Sequence, residues 1–357
     1  MFAVTQVAAL LARHLNWAWF GRSMLILALV WWAWSAFVWA ANAQDSDSPT
    51  LRLALLAAAA FIFISGLAVP EAFTSEGLLF ATTYAVVRFL HLALYADASW
   101  RGNASWSAIA GFALTVTLGM ALLVAGGAVS GGERIALWAV AVAIDYAGPA
   151  WLTRDRLRGL QRVAVAHFAE RYSLFVIICL GESIVAIGLS ASSLHTLSVD
   201  LVSVVALGLV ITAGMWWTYF DRSAAVAEER LREHRDPVIA AADAYSYLHL
   251  VIVAGIITFA AGVRVLVKTL GVNPSAPVRL AVCGGVAAYL LGHAAFGLRM
   301  TGALSYEKVL VAGALLILFA VAGGLSAWGL LASIAACLTA LCVFERTPIT
   351  RRERQLA

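Results

Sequence analysis

Residues 167–183 read HFAERYSLFVIICLGES, placing a histidine, two glutamates and an arginine in a run otherwise apolar enough to cross a bilayer. A charge near the bilayer centre costs from about 3 kcal/mol on insertion scales to ~10 kcal/mol and above in simulations of isolated helices, so such residues face a protein interior or a wet cavity. Glu182 is the sharpest case, flanked by VIICL on one side and IVAI on the other with only Gly181 and Ser183 as small neighbours. A span of this kind needs other helices around it, and the rest of the chain supplies them.

Of the 357 residues, 62% are hydrophobic and 12% charged, with a mean hydropathy of +0.89. Soluble domains carry about 25% charged residues, so the chain is expected to be an all-α, polytopic transmembrane bundle. The net charge of +4 comes from arginines grouped in short loops. That pattern excludes a basic nucleic-acid face. Cys179, Cys283, Cys337 and Cys342 all fall in apolar runs without metal-ligand spacing, and they read as small buried hydrophobes. No metal or cofactor is expected, and the first residues lack the basic start and cleavage site of a removable signal.

Taking about 20 apolar residues per span, eleven spans are expected, at roughly 23–43, 53–70, 77–96, 106–126, 135–152, 168–190, 199–220, 246–267, 278–298, 308–323 and 325–344. Met1 to Ala12 makes a stub too short to cross. With the stub starting in the cytoplasm, alternate loops collect sixteen of the 24 Lys and Arg on the cytoplasmic side and six on the other; Arg88 and Arg171 remain within spans. This split predicts a multi-pass membrane protein with a cytoplasmic C-terminus. The organisation that follows is a first half over 1–152, a basic cytoplasmic loop over 153–166, a second half over 167–344 and a basic tail over 345–357.

The halves echo one another. WWAW at Trp31 to Trp34 answers WWTYF at Trp216 to Phe220, Tyr84-x3-Arg88 answers Tyr289-x3-His293, and FAVTQ places Gln6 opposite Glu182 of ICLGE. Six helices per half would give both copies one orientation, a parallel duplication about an axis along the membrane normal. The competing explanation is that membrane composition alone repeats interfacial Trp and in-span Tyr.

The run HFAERYSLFVIICLGESIVAIG resembles the central motif of the bacterial low temperature requirement A family, which reads much like ERFGLFVIIALGESI. PEAFTSEGLLFATTYAVVRF from Pro70 to Phe89, WWTYFDR from Trp216 to Arg222, YSYLHLVIVAGI from Tyr245 to Ile256 and AYLLGH from Ala288 to His293 follow the family's blocks in order. Its opening ELFFDLVF block has no counterpart before MFAVTQV, so the first helix is expected to be half-length. The resemblance implies an integral membrane protein and names no reaction.

At about 100° per residue, His167, Arg171 and Glu182 fall on one stripe, yet Arg171 and Glu182 are about 16 Å apart along the axis, so each needs its own partner. Glu170 lies off the stripe and is suited to a structural ion pair with the basic 154–162 loop. Tyr84, Arg88 and His91 form a second polar stripe, and Arg88 and His91 are offered as partners for Glu182. Arg88 reads equally as an ion-pair residue or as a reader of an anionic substrate. Asp145 precedes Gly148-Pro149, which is either a packing kink or a source of freed carbonyls for a cation. His249 and His293 are core histidines or proton relays, and Trp216, Trp217 and Tyr219 read as an interfacial belt. Three functions fit: a secondary transporter or channel for a small solute or ion, possible proton coupling included; an intramembrane enzyme acting on a lipid; or a structural or sensory membrane protein. Membrane lipid and a small solute or ion are the expected partners.

Overall fold

Helix starts in this chain are written by short polar caps. Ser48 accepts from the Leu51 N–H ahead of Pro49, Ser198 accepts from the Leu201 N–H, and Ser326 accepts from the Gly329 N–H, each satisfying a donor that a first turn leaves open. The computed structural model describes residues 2–42, 48–103, 105–152, 154, 164–192, 198–221 and 223–346.

Among the described residues the chain is helical without strands: α1 (Phe2–Arg13), α2 (Trp17–Asn42), α3 (Pro49–Ala68), α4 (Gly77–Trp100), α5 (Trp106–Ala128), α6 (Gly131–Ala147), α7 (Val165–Ser192), α8 (Val199–Phe220), α9 (Ser223–Glu233), α10 (Pro237–Ala241), α11 (His249–Lys268), α12 (Ala276–Thr301), α13 (Tyr306–Val321) and α14 (Ala327–Glu345). Ten helical runs among the described residues are long and apolar enough to cross a membrane. Each of the eleven expected spans has its helix; α6 falls outside the ten, carrying Glu133, Arg134 and Asp145 in 17 residues. This is a multi-pass membrane protein.

Two local differences from the sequence reading have clear causes. The span expected from 246 belongs to a helical run that begins at Pro237, because Asp236 accepts from the Ile239 N–H and proline sets the first turn. A π-helical stretch, Ala242–Leu248, then joins α10 to α11. The 11-residue α9 lies between α8 and α10 and is too polar to span; Arg232 pairs with Glu228 one turn back.

The chain divides into two compact units, one of Met1–Leu10, Ala18–Arg171 and His234–Ser246, the other of Leu11–Trp17, Tyr172–Glu233 and Tyr247–Ala357. In the first, α3 packs on α4, α4 on α5 and α5 on α6. Phe2 of α1 packs against α3 so closely that a Cβ on Gly66 would lie 2.9 Å from its ring. Arg134 is buried, and its guanidinium donates to the carbonyls of Ala72, Thr74, Gly126, Gly127 and Val129. It thereby ties the α3–α4 turn to the end of α5. The span expected from 135 begins earlier, at Gly131, and takes Arg134 in with it, since five carbonyl acceptors satisfy the guanidinium inside the protein.

In the second unit α11 packs on α12, α12 on α13, α13 on α14, and α14 on α8. Lys308 is buried and donates to Glu345, joining the start of α13 to the end of α14. Arg346 pairs with Asp221 at 3.1 Å and lies over the Trp217 ring.

Candidate functional site

The most strongly charged interior feature of the first unit is the pair formed by Arg88 and Asp145. Arg88 sits 11 residues from the start of the 24-residue α4, about 17 Å from either end at 1.5 Å per residue. Its Nη2 donates to Asp145 Oδ1 at 2.8 Å, and the two side chains are 2% and 3% exposed. The sequence offered Arg88 to Glu182 and treated Asp145 as a separate kink residue; the structure joins Arg88 to Asp145 because α4, α5 and α6 follow one another in the same unit. Directly after α6 comes a π-helical turn, Gly148–Leu152. Pro149 removes the N–H that a regular helix would direct at the Asp145 carbonyl, and π turns of this kind concentrate at functional positions. A Cβ on Gly148 would lie 2.6 Å from Thr115 Oγ1, so α5 approaches this turn only because the residue is glycine.

Two tyrosines fix the surroundings. Tyr84 Oη donates to the Leu29 carbonyl and Tyr146 Oη to the Ala28 carbonyl, both at 2.8 Å, so neighbouring carbonyls of α2 are held from α4 and from α6. Trp32 stacks on Tyr146 with centroids 4.0 Å apart, and its indole reaches toward the Asp145 carboxylate. His91 is buried among Phe37, Tyr95 and Phe112. Around the pair several polar atoms are left over: Arg88 Nε and Nη1, Asp145 Oδ2 and His91 Nδ1 find no hydrogen-bond partner among the described residues.

A second polar group lies nearer the end of α2. Ser246, in the π-helical stretch before α11, accepts at its carbonyl from Trp31 Nε1 at 2.7 Å and at Oγ from Trp39 Nε1 at 2.9 Å, while Ser35 Oγ lies 3.1 Å from the same hydroxyl. Asp243, one turn earlier, holds Arg154 through two 2.8 Å bonds in a bidentate pair. Sequence reasoning missed both residues. The signal was present in Asp236-Pro237, which starts the helix early enough to carry Asp243 and Ser246 inside it.

The expected stripe on α7 runs from exposed to buried. His167 is exposed, with Nδ1 3.8 Å from the exposed Glu170, so this acid has a neighbour on its own helix. Of its expected partners in the 154–162 loop, Arg154 pairs with Asp243, and Arg156, Arg158 and Arg162 lie outside the described residues. Arg171 is half-buried and donates to the Val38 carbonyl at 3.4 Å. Glu182 belongs to the second unit and is 1% exposed.

In the second unit His249 Nε2 and Tyr219 Oη are 2.8 Å apart, and the His249 ring meets Tyr172 and Phe296 edge to face. His293 lies against Tyr219 and Tyr289. Tyr289 Oη donates to the Met215 carbonyl at 2.6 Å and lies 2.9 Å from Thr218 Oγ1. The interfacial reading of Tyr219 is therefore corrected: it is a core residue at 1% exposure, while Trp216 on the same helix is 44% exposed. Tyr219 follows Trp216 by three residues, and burial on this helix falls on the Tyr219 side because His249 supplies a partner for its hydroxyl.

The family model for the bacterial low temperature requirement A protein (LtrA) matches residues 1–343. This chain belongs to the LtrA family. A relative of the LtrA chain, an uncharacterized protein of Rhizobium meliloti (strain 1021), is 31% identical over 270 residues, which is 73% of this chain and 65% of that protein. The chain thus spans just under two thirds of the length of the curated relative it matches. No solved structure matches this LtrA chain.

Proposed function

We propose that this LtrA protein is a secondary transporter or channel for a small solute or ion, with Arg88 and Asp145 at its working centre and proton coupling through buried carboxylates. The observation that carries the reading is the incomplete satisfaction of Arg88. A buried pair kept solely to fix helix packing is expected to have its polar atoms matched. This one holds a guanidinium at mid-helix by a single bond, with Arg88 donors and the second Asp145 oxygen left over. A path for a polar solute needs such donors within the bilayer, where they are otherwise too costly to keep.

A duplication underlies this reading. In each unit the tyrosine of the shared motif donates to a carbonyl just before a tryptophan pair, Tyr84 to Leu29 ahead of Trp31-Trp32 and Tyr289 to Met215 ahead of Trp216-Trp217. Arg88 in one motif corresponds to His293 in the other, so the copies have diverged at the charged position.

Flux into vesicles reconstituted with the full chain tests the function. Glu182, the deepest charge on α7, serves here as a second proton-carrying carboxyl. Glu182→Gln keeps its shape and removes its charge, so the variant is expected to insert and elute like the parent while losing flux. Full flux in that variant assigns Glu182 to packing.

We further place the protein in the bacterial inner membrane with α9 in the cytoplasm, following the distribution of basic residues. A reporter cysteine at Glu229, an exposed position of α9, is expected to stay unlabelled by an impermeant maleimide added outside intact cells and to react once the membrane is opened. Labelling of intact cells reverses the orientation.

A further inference from the structure

We infer that the ligand of the Arg88 centre is a small oxyanion, a carboxylate or phosphate group, which takes the guanidinium when Asp145 accepts a proton; this rests on the transport reading above. Arginine presents five N–H donors in a planar fork. One bond goes to Asp145, and Nε and Nη1, three N–H groups in all, have no acceptor among the described residues although the side chain is 2% exposed. The need at this point is for oxygen lone pairs. No described group bonds to Nε or Nη1: the Tyr84, Tyr146 and Thr115 hydroxyls are engaged with the carbonyls of Leu29, Ala28 and Phe112, the Trp32 indole is a donor, and Asp145 Oδ2 and His91 Nδ1 make no hydrogen bond of their own to the fork. A metal cation would add charge to a site already rich in donors. An oxyanion meets the fork with two oxygens and matches its charge.

Asp145 makes the binding conditional. The groups facing the pair are Tyr84 and His91 from α4 and Trp32 from α2, with Gly119 of α5 against the Asp145 Cβ, and the charge that acts on Asp145 is that of Arg88. While Asp145 is ionised it occupies the guanidinium and the site is neutral. An arriving anion would leave two negative charges on one arginine, so it enters with a proton taken from solution onto the Asp145 carboxyl. An O–H bond forms, no electrons move, and a monoanion travels with its proton without net charge.

Vesicles carrying the full chain and an internal pH dye test this. Choline gluconate and potassium phosphate provide impermeant carboxylate and phosphate probes, with choline chloride as the anion lacking oxygen. The parent is expected to acidify its lumen when gluconate or phosphate is added outside, and to respond little to chloride. Arg88→Lys keeps the charge and removes the fork, and it is expected to slow acidification about tenfold, the loss of one charge-assisted hydrogen bond. Asp145→Asn is expected to pass the anion without acidification. Flux that follows the cation and ignores the anion overturns the inference and leaves the transport reading standing. Unaltered anion flux in a folded Arg88→Lys protein also overturns it. Absence of flux for every solute overturns both.

Discussion

Arg88→Ala is expected to cost the folded protein about 3–5 kcal/mol, because it strands Asp145 as an uncompensated buried charge. Asp145→Ala should cost a similar amount by stranding the guanidinium, whose bond to Asp145 is its described ion pair. The double variant Arg88→Met with Asp145→Leu removes both charges and keeps the volume, so it should be more stable than either single alanine variant. Denaturant-induced unfolding in mixed micelles measures all three, and with the single variants Arg88→Met and Asp145→Leu added, the departure of the double variant from additivity is the coupling of the pair. Additive losses would show that each residue is held by neighbours other than its partner.

Gly255→Val should prevent normal folding of the second unit, with a loss of about 3 kcal/mol or more, since overpacking against backbone cannot be relieved by a side-chain turn. A Cβ at Gly255 would lie 2.5 Å from the Tyr289 nitrogen and 2.6 Å from the Gly285 oxygen; one at Gly285 would lie 2.6 Å from the Phe259 nitrogen. Gly262 and Gly292 continue the seam, each seven residues beyond the first of its helix, so α11 and α12 touch backbone to backbone along this line. Parting them would also carry Tyr289 away from Met215 and Thr218. As a control, Gly313→Ala on α13, where a Cβ meets nothing within 4 Å, should change stability by about 1 kcal/mol or less, in the favourable direction. Thermal unfolding monitored by retention on size exclusion separates the two cases.

The spans were legible because hydropathy over about 20 residues is a strong and local signal, and each expected span contains a helix. Legible too was the stripe of Tyr84, Arg88 and His91, since all three are buried on α4 as their spacing implies. What spacing does not encode is which helix comes to meet a stripe. The sequence reading offered Arg88 to Glu182, whereas its pairing with Asp145 depends on how α4, α5 and α6 fold back on one another. Composition set the start of α6 too late and read Tyr219 as interfacial for a common reason. An arginine near a span end reads as its boundary, and a tyrosine beside a tryptophan pair reads as interface, unless the carbonyls around Arg134 and the imidazole of His249 are known. The seam of glycines was invisible for the opposite reason: Gly255 and Gly285 look like 26 others until the approach of their helices is seen.

The two tyrosine hydroxyls on α2 act as rungs at one height. Sliding α2 by a single residue, about 1.5 Å, would take the Leu29 carbonyl from Tyr84 and the Ala28 carbonyl from Tyr146 together, and both phenols would then be buried without an acceptor. Rotation of α2 alone meets the same obstacle, because its two rungs come from different helices. Helices α2, α4 and α6 are therefore held in one register around Arg88 and Asp145, and any change of access in this unit has either to carry both rungs along or to break them together.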